Sequence, residues 1–532
     1  MIYDIMIFTK SLYRIPRKRE KRSENMLPEE EDPGGQEPRE QERETDGGAS
    51  GEPPNAGKKR ETGIIFSEID DGYDYEHDRQ IDIEVDSQRQ RSKLIIGLSW
   101  PALAENLFSS FMSMADMIMV GGLGAYAISA VGLVTQPKFI MMAAFMAMNV
   151  GGTALVAQCK GARNHNGANN ALDQSLLLSI MLTVVVCITM VLTAEPLVRL
   201  IAGSEISEKT IIEGLKYYRI QIYGFPTIAL TFTINASLRG AGNTRATFYN
   251  NTVANIVNVI LNYCLINGKF GFPRMEVAGA SLATVIGQCV GLTMALIVVT
   301  GGKQYIKLKI KKRWRIDLSM IKRIVNIGIP SFIEQLIMRV GSLWFTTIVT
   351  SLGDISYAAH MVAMNIQQLS FTTGMAFGTA ATTLVGQCIG RKRIDLGKVY
   401  VRMTQWMGLI VSMAIAVFMF ACGKMLSRLY SNDVVIINLA ADMLKIIAVV
   451  NPVMNARFIY ASALRGAGDA KSIAIVTFLG VLLVRPLVGL LLVNVIQLGL
   501  TGVWIALSSD FVISFFAIWI RYRKGKWALL EI

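Results

Sequence analysis

From Leu94 onward, the chain consists of long apolar runs separated by short polar loops. A helix rises about 1.5 Å per residue, so roughly 20 apolar residues cross the hydrocarbon core of a bilayer. The pattern predicts twelve transmembrane helices, near residues 94–120, 133–157, 174–194, 217–238, 246–267, 277–300, 324–350, 362–388, 403–422, 438–463, 472–495 and 498–520. We therefore expect an all-α, multi-pass protein of the cell (inner or plasma) membrane.

Composition supports a membrane protein and argues against other classes. Hydrophobic residues make up 52% of the 532 residues and charged residues 17%, whereas about a quarter of an average soluble domain is charged. The net charge of +13 comes largely from loops between apolar runs, which favours a bilayer over nucleic acid as the partner. The six cysteines form no CxxC pair and no P-loop motif is present. We therefore expect no enzyme and no cofactor apart from a coupling ion.

The two ends of the chain are polar. Residues 1–92 are charged and rich in Gly, Pro and Glu, a composition that cannot bury enough apolar surface to fold alone. We interpret residues 1–92 as a disordered cytoplasmic tail without transport chemistry. Residues 521–532 form a second, short cytoplasmic tail in this interpretation.

Basic loops indicate the orientation of the spans. The loop 301–323, between the sixth and seventh spans, contains nine Lys and Arg residues and one acid, Asp317. The loops after spans 1, 7 and 11 contain no Lys or Arg. Because basic loops stay on the cytoplasmic side, this alternation predicts that both termini are cytoplasmic.

The two halves of the apolar region resemble each other. The segment from Pro101 to Glu105 recurs from Pro330 to Glu334 at an offset of 229, and LRGAG at 238–242 recurs 226 residues later. We expect the LRGAG glycines to end the fourth and tenth spans with positive φ. Gln158 and Gln387, also 229 apart, are expected to anchor neighbouring helices.

This repeat predicts the domain organisation. An N-terminal lobe at 93–300 and a C-terminal lobe at 324–520 would each hold six helices, joined by the basic cytoplasmic linker 301–323. An even number of spans per lobe relates the two copies by an axis along the membrane normal, as in duplicated secondary transporters. Such transporters bind substrate where the halves meet.

These landmarks resemble the multidrug and toxic compound extrusion (MATE) family, in its NorM-like bacterial branch. The similarity covers about residues 93–520. It is carried by Ala115-Asp116 with Val120-Gly-Gly-Leu-Gly124, by the LRGAG pair and by Leu384-Val-Gly-Gln-Cys-Ile-Gly390. The resemblance implies two lobes in a V shape. It also implies cation-coupled export of organic, often cationic, compounds by alternating access.

Ionisable and amide side chains interrupt the apolar helices of the first lobe, and such residues are functional candidates by default because a charge in the bilayer is costly. Glu105 and Asp116 are eleven residues apart, which places them within about 20° of one helix face. The fifth span carries one stripe of amides: Asn251, Asn255, Asn258 and Asn262. This stripe either lines a cavity or bonds to neighbouring helices.

The resemblance assigns roles to some of these residues. Asp116 occupies the position of the cation-coupling aspartate of archaeal members, and Asn258 and Asn262 match a family Asn and Asp. Thr284 matches a residue near that site. The amide of Asn262 can offer an oxygen to Na⁺ but cannot titrate, which argues against a purely protonic site in this lobe. A Na⁺ site at Asp116 and Asn258 is one expectation, and a Na⁺ site at Glu334 is another. The alternatives are that Asp116 pairs with a loop amide or cation, and that the Thr284 hydroxyl bonds to its own helix.

In the second lobe, Glu334 lies one turn after Pro330, which frees a backbone carbonyl beside it. A carboxylate there would bind Na⁺, titrate, or attract a cationic substrate. Equally, Glu334 or Asp510 would form a structural ion pair with Arg339 or Arg485, and a permanently paired Glu334 would couple nothing.

The combined prediction is a secondary antiporter that exports cationic or amphipathic drug-like compounds in exchange for Na⁺ or H⁺. Its cation-coupling and substrate cavity would contain Glu105, Asp116, Asn255, Asn258, Asn262, Thr284 and Glu334. The expected partners are small organic molecules and the lipid bilayer, and the expected oligomeric state is a monomer. The alternative function is a flippase of lipid-linked oligosaccharide precursors from the same superfamily, which the arginines of the second lobe favour.

Overall fold

The computed structural model describes residues 83–84, 87–202, 206–302, 304–308 and 315–529. Within these residues lie twelve long helices: α1 Gln88–Gly121, α2 Ala125–Gly161, α3 His165–Ala202, α4 Glu208–Gly240, α5 Thr244–Asn267, α6 Glu276–Thr300, α7 Leu318–Thr350, α8 Asp354–Gly390, α9 Ile394–Arg428, α10 Val434–Gly466, α11 Ala470–Val495 and α12 Gly499–Arg523. Each predicted span corresponds to one of these helices, and the predicted all-α fold is confirmed.

Eight of the helices are long and apolar enough to cross a membrane by length and composition alone. The other four, α1, α4, α5 and α8, are more polar. They include the carboxylates Glu105 and Asp116 and the amide stripe of α5. A polar helix is stable inside a bilayer only where its polar side chains face other helices or water. We therefore expect the polar side chains of these four helices to face the interior of the molecule.

The two halves pack in the same way. In the first half, α4 contacts α2, α3 and α6, while α5 contacts α1 and α6. In the second half, α10 contacts α8, α9 and α12, while α11 contacts α7 and α12. Each contact of the first half thus has its equivalent six helices later, as expected for a duplicated unit. The halves meet where α2 packs on α7 and α8, and where α1 packs on α8.

The ends of α4 and α10 have the predicted conformation. The helices stop at Gly240 and Gly466. Two residues later, Gly242 and Gly468 have φ of 87° and 90°, a region that L side chains rarely adopt. We call this side of the molecule the LRGAG end.

The halves are joined at the LRGAG end by reciprocal hydrogen bonds. The Gln158 side chain of α2 donates to the Gly466 carbonyl at 3.1 Å, and the Gln387 side chain of α8 donates to the Gly240 carbonyl at 3.4 Å. The prediction that both glutamines anchor neighbouring helices is confirmed, and the helices they anchor belong to opposite halves. At the same place, Gly161 lies directly against the Gln387 carbonyl.

Helix α11 contains a break that the sequence pattern did not predict. Two π-helical segments, Leu479–Val484 and Leu491–Val495, flank the α-helical turn Arg485–Leu490. Pro486 has no backbone N–H, so the regular bonding pattern cannot continue through it. Widened turns of this kind often occur at functional positions, and here they surround the buried Arg485.

The N-terminal boundary lies earlier than residue 92, the predicted end of the tail. Ser87 caps α1, and its side chain accepts a hydrogen bond from the Arg89 backbone N–H. Just before the cap, Ile83 is 2% exposed and its carbonyl accepts from the Tyr400 hydroxyl at 2.7 Å. Ile83 thus packs in the apolar core of the second half. Residues 1–82, for which disorder is predicted, lie outside the described residues.

Asp317, at the end of the linker, is bonded to α7 and to α3. Its carboxylate caps α7 by accepting from the backbone N–H groups of Ser319 and Met320, and it accepts from the Asn170 side chain of α3 at 2.7 Å. Hydrogen bonds from the Ser319 hydroxyl, the Met320 backbone and Asn170 hold the pKa of Asp317 below its usual range. The ionised carboxylate therefore stabilises the fold above about pH 4, and this contribution is lost as the pH falls through the lowered pKa.

We expect Asp317→Ala to lower the free energy of unfolding by about 1 kcal/mol, the usual effect of losing a helix cap. Unfolding in detergent at neutral pH measures this difference, which should shrink below about pH 4. Asp354→Ala is the matched control, because Asp354 lies in the first turn of α8 where the cap residue Gly353 makes no side-chain bond. An equal loss in both variants would show that the Asp317 cap is unimportant.

Candidate functional site

Asp116, near the end of α1, lies in a cluster of amides. Its carboxylate accepts from the Asn262 side chain at 2.6 Å. The Asn258 amide, oriented with its NH₂ toward the carboxylate, donates to both Asp116 oxygens at 3.0 Å and accepts from Thr284 Oγ1 at 3.2 Å. Thr284 Oγ1 is also 2.9 Å from the Ala280 carbonyl of its own helix. The structure therefore brings together four predicted residues, and the single O–H of Thr284 has two acceptors within reach, the Asn258 carbonyl and the Ala280 carbonyl of its own helix.

One acceptor in this cluster has no partner. The Asn262 carbonyl oxygen is buried and lacks a hydrogen-bond donor among the described residues. A buried acceptor of this kind, close to a carboxylate, is unfavourable unless a proton or a cation satisfies it. The donor set of carboxylate and amide oxygens fits Na⁺, and the carboxylate alone can take up H⁺.

The amide stripe of α5 faces α1. Asn251 donates to Glu105 at 2.5 Å, Asn255 to Ser109 at 3.2 Å, and Asn262 to Asp116. Each bond joins residues that are 146 positions apart, which is the register of two parallel helices in contact. Of the two interpretations of the stripe, contact with a neighbouring helix is therefore the one that the structure shows. For Asn255, the bond to Ser109 of α1 is the contact that supports this interpretation.

Glu105 and Glu334 occupy equivalent positions in the two halves, and each is paired with an LRGAG arginine. Glu105 lies 3.5 Å from Arg239 and also accepts from Thr247. Glu334 lies 2.6 Å from Arg465. The predicted partners of Glu334, Arg339 and Arg485, were wrong. Because the arginine ends α10 beside α7, it reaches back to the carboxylate, and the repeat of Glu and Arg in both halves was the signal for this pairing.

Asp510 forms the ion pair that the sequence proposed as an alternative. Arg485 Nη2 lies 2.5 Å from Asp510 Oδ2, and the two side chains are 9% and 1% exposed. Ser514 donates to the other carboxylate oxygen at 3.0 Å. The pair is closed to solvent and links α11 to α12. Arg339, the remaining candidate, stacks on the Phe139 ring at 4.8 Å instead.

The seven predicted site residues do not all line the cavity that the described residues form. A cavity of about 260 Å³ lies among α2, α4 and α6, lined by Val134, Thr135, Lys138, Phe139, Met142, Tyr217, Ile228, Phe232, Thr284 and Gln288. Only Thr284 among the predicted residues lines it. Glu105, Asp116 and Glu334 belong to three separate clusters, because each is bound by a different set of neighbours.

Lys138 was not among the predicted site residues. This lysine lies within the apolar helix α2 and donates to the Gln221 side chain at 3.0 Å. A lysine inside a membrane span is a functional candidate, and the same criterion that selected Asp116 would have selected it. Its charge attracts that of Asp116 without forming an ion pair.

Comparison with known proteins agrees with this architecture. The MatE family profile matches residues 101–264 and 330–491, one match in each half and together more than half of the chain. The chain belongs to the MatE family. Its members are transporters, so the predictions of family, membrane location and a transporter rather than an enzyme are confirmed.

Several relatives cover most of the chain. A probable multidrug resistance protein NorM of Thermotoga maritima is 28% identical over 439 residues, which cover 82% of this chain and 93% of that protein. The multidrug resistance protein MdtK of Edwardsiella ictaluri is 24% identical, with 83% and 98% covered. Among solved structures, the outward-facing conformation of a multidrug resistance MATE family transporter has a TM-score of 0.77 at 22% identity, with 83% and 97% covered. That structural likeness shows the fold.

Proposed function

We propose that this MatE-family transporter exports amphipathic organic compounds in exchange for an entering cation, H⁺ or Na⁺. The multidrug resistance names of its relatives support the class of substrate. The observation that supports cation exchange is that Asp116 has no arginine partner among the described residues. Of the four predicted carboxylates, Glu105, Glu334 and Asp510 each have an arginine partner, whereas Asp116 is held by amides only.

A carboxylate without an arginine can gain and lose a cation at small cost. Protonation of Asp116, or Na⁺ binding between Asp116 and the unpaired Asn262 oxygen, would change the charge of the cluster by one unit. Thr284 transmits this change to the cavity because it contacts Asn258 and lines the cavity wall. A substrate with a cationic group would then compete with the entering cation, and competition is the simplest basis of antiport.

Alternating access requires that the halves separate on one side at a time. The reciprocal bonds from Gln158 and Gln387 hold the halves together at the LRGAG end. Basic loops flank this end, so we propose that it faces the cytoplasm and that both termini are cytoplasmic. Export then requires these bonds to break and to form again in each cycle.

The test uses everted membrane vesicles that contain the protein, with a fluorescent compound, either ethidium or rhodamine B, added to the outer medium. We expect an imposed H⁺ or Na⁺ gradient to drive transport of at least one compound. Asp116→Asn should abolish this transport, because an amide has no negative charge with which to take up H⁺ or to bind Na⁺. Asp442→Asn, at an exposed pair with Lys445, is the control and should transport normally. Loss of driven transport in Glu334→Gln but not in Asp116→Asn would move coupling to the second half.

A further inference from the structure

The charged side chains inside the molecule do not all have a partner of opposite charge. Three of the interior carboxylates are bound to arginines, and Asp116 is bound to amides. Lys138 and Arg339 are among the interior cations that have no carboxylate within 4 Å in the part of the chain that the structure describes. An ammonium or guanidinium inside the bilayer without an acid is costly, and the cost is offset if a ligand supplies the missing negative charge.

Lys138 is held in place toward the cavity. Its ammonium donates to Gln221 Oε1, and the Gln221 NH₂ donates to the Ser281 hydroxyl at 3.2 Å, which in turn donates to the Tyr217 carbonyl at 2.8 Å. This chain turns the acceptor side of Gln221 toward the lysine. An ammonium has three N–H donors and Gln221 takes one, so the side chain retains donors for a molecule in the cavity that it lines.

Phe139 connects the second cation to the same cavity. The ring lines the cavity beside Lys138, and the Arg339 guanidinium of α7 lies 4.8 Å from the ring centroid. Two cations from opposite halves therefore flank one aromatic wall. The remaining wall is apolar apart from the polar groups of Thr135, Tyr217, Thr284 and Gln288, which suits a flat aromatic body.

We propose that this cavity binds amphipathic aromatic compounds that carry a carboxylate, with Lys138 as the counter-ion of that carboxylate. The inference rests on the proposed export function and narrows its substrates to zwitterions. The carboxylate of such a compound lies on Lys138 and its aromatic body against Phe139. Its cationic group faces the side of the cavity where Thr284 borders the Asp116 cluster, so it competes there with the coupling ion.

Rhodamine B and its ethyl ester test the proposal as a matched pair, because both carry the cationic xanthene and only the acid carries a carboxylate. Fluorescence polarisation with purified protein in detergent measures Kd for each dye. We expect the wild type to bind the acid about tenfold more tightly than the ester, the usual effect of a hydrogen bond between charged groups. Lys138→Met should remove this preference by weakening the acid, and Lys138→Arg should keep it.

The controls separate a specific loss from a folding defect. The Kd of the ester should be the same in Lys138→Met as in wild type, which shows that the cavity is intact, and Lys445→Met on the surface should change neither dye. A wild-type protein without preference for the acid, including one that binds neither dye, overturns the proposal, as does a preference that survives in Lys138→Met. The measurement uses no ion gradient, so it is independent of whether ions drive efflux.

Discussion

Arg465→Leu is expected to lower the free energy of unfolding by about 3–5 kcal/mol, the usual cost of removing one partner of a buried ion pair. Glu334 is 8% exposed and has Arg465 as its hydrogen-bond donor. No second donor to Glu334 is found in the described part of the chain. Without the arginine, the carboxylate remains buried with no partner of opposite charge.

The equivalent variant of the first half should cost much less. Glu105 keeps two donors, Thr247 and Asn251, after Arg239 is removed, so we expect Arg239→Leu to cost about 1–2 kcal/mol. Chemical unfolding of both variants in detergent measures the difference. The double variant Glu334→Gln with Arg465→Leu should recover most of the loss, because no buried charge remains. Equal losses in the two single variants would contradict this explanation.

Gly161→Ala should reduce transport about tenfold, because the new methyl group would overlap the Gln387 carbonyl where the halves meet. Overpacking of a tight contact typically costs about 1–3 kcal/mol, and here the cost falls on the closed LRGAG end alone. The population closed at that end would fall, and with it the rate of the cycle. Transport into vesicles at a saturating gradient measures this rate.

Gly132→Ala is the matched control for this prediction. Gly132 lies in the same helix with open space around it, and both substitutions favour helix formation by up to about 1 kcal/mol. Both variants should therefore remain folded, and transport should fall about tenfold in Gly161→Ala only. Equal transport in the two variants would show that the halves do not need the close contact at Gly161.

Periodicity and repetition predicted the scaffold, because hydrophobic length and glycine conformation are local properties. The positive φ of Gly242 and Gly468 followed from the LRGAG motif in this way. The resemblance also led to the cluster of Asp116, Asn258, Asn262 and Thr284. The break in α11 was missed because a single proline does not distinguish a kink from a π-helical turn.

Contacts between distant residues were harder to predict. Arg339 and Arg485 were proposed as partners of Glu334 because they share the second half, yet side-chain reach across helices selects Arg465. A list of carboxylates and amides also omitted the cation Lys138, which lines the cavity that most of those residues do not reach. One sequence shows which residues are polar, but which of them face each other depends on helix packing.

The most direct test of cation exchange follows the ion. Liposomes that contain only the purified protein are loaded with rhodamine B, and entry of ²²Na⁺ or of H⁺ is recorded while the dye leaves down its own gradient. We predict that one of these ions enters in a fixed ratio to the dye and that Asp116→Asn abolishes this ion entry. Dye efflux through the wild-type protein with neither Na⁺ nor H⁺ entering would contradict the proposed cation exchange.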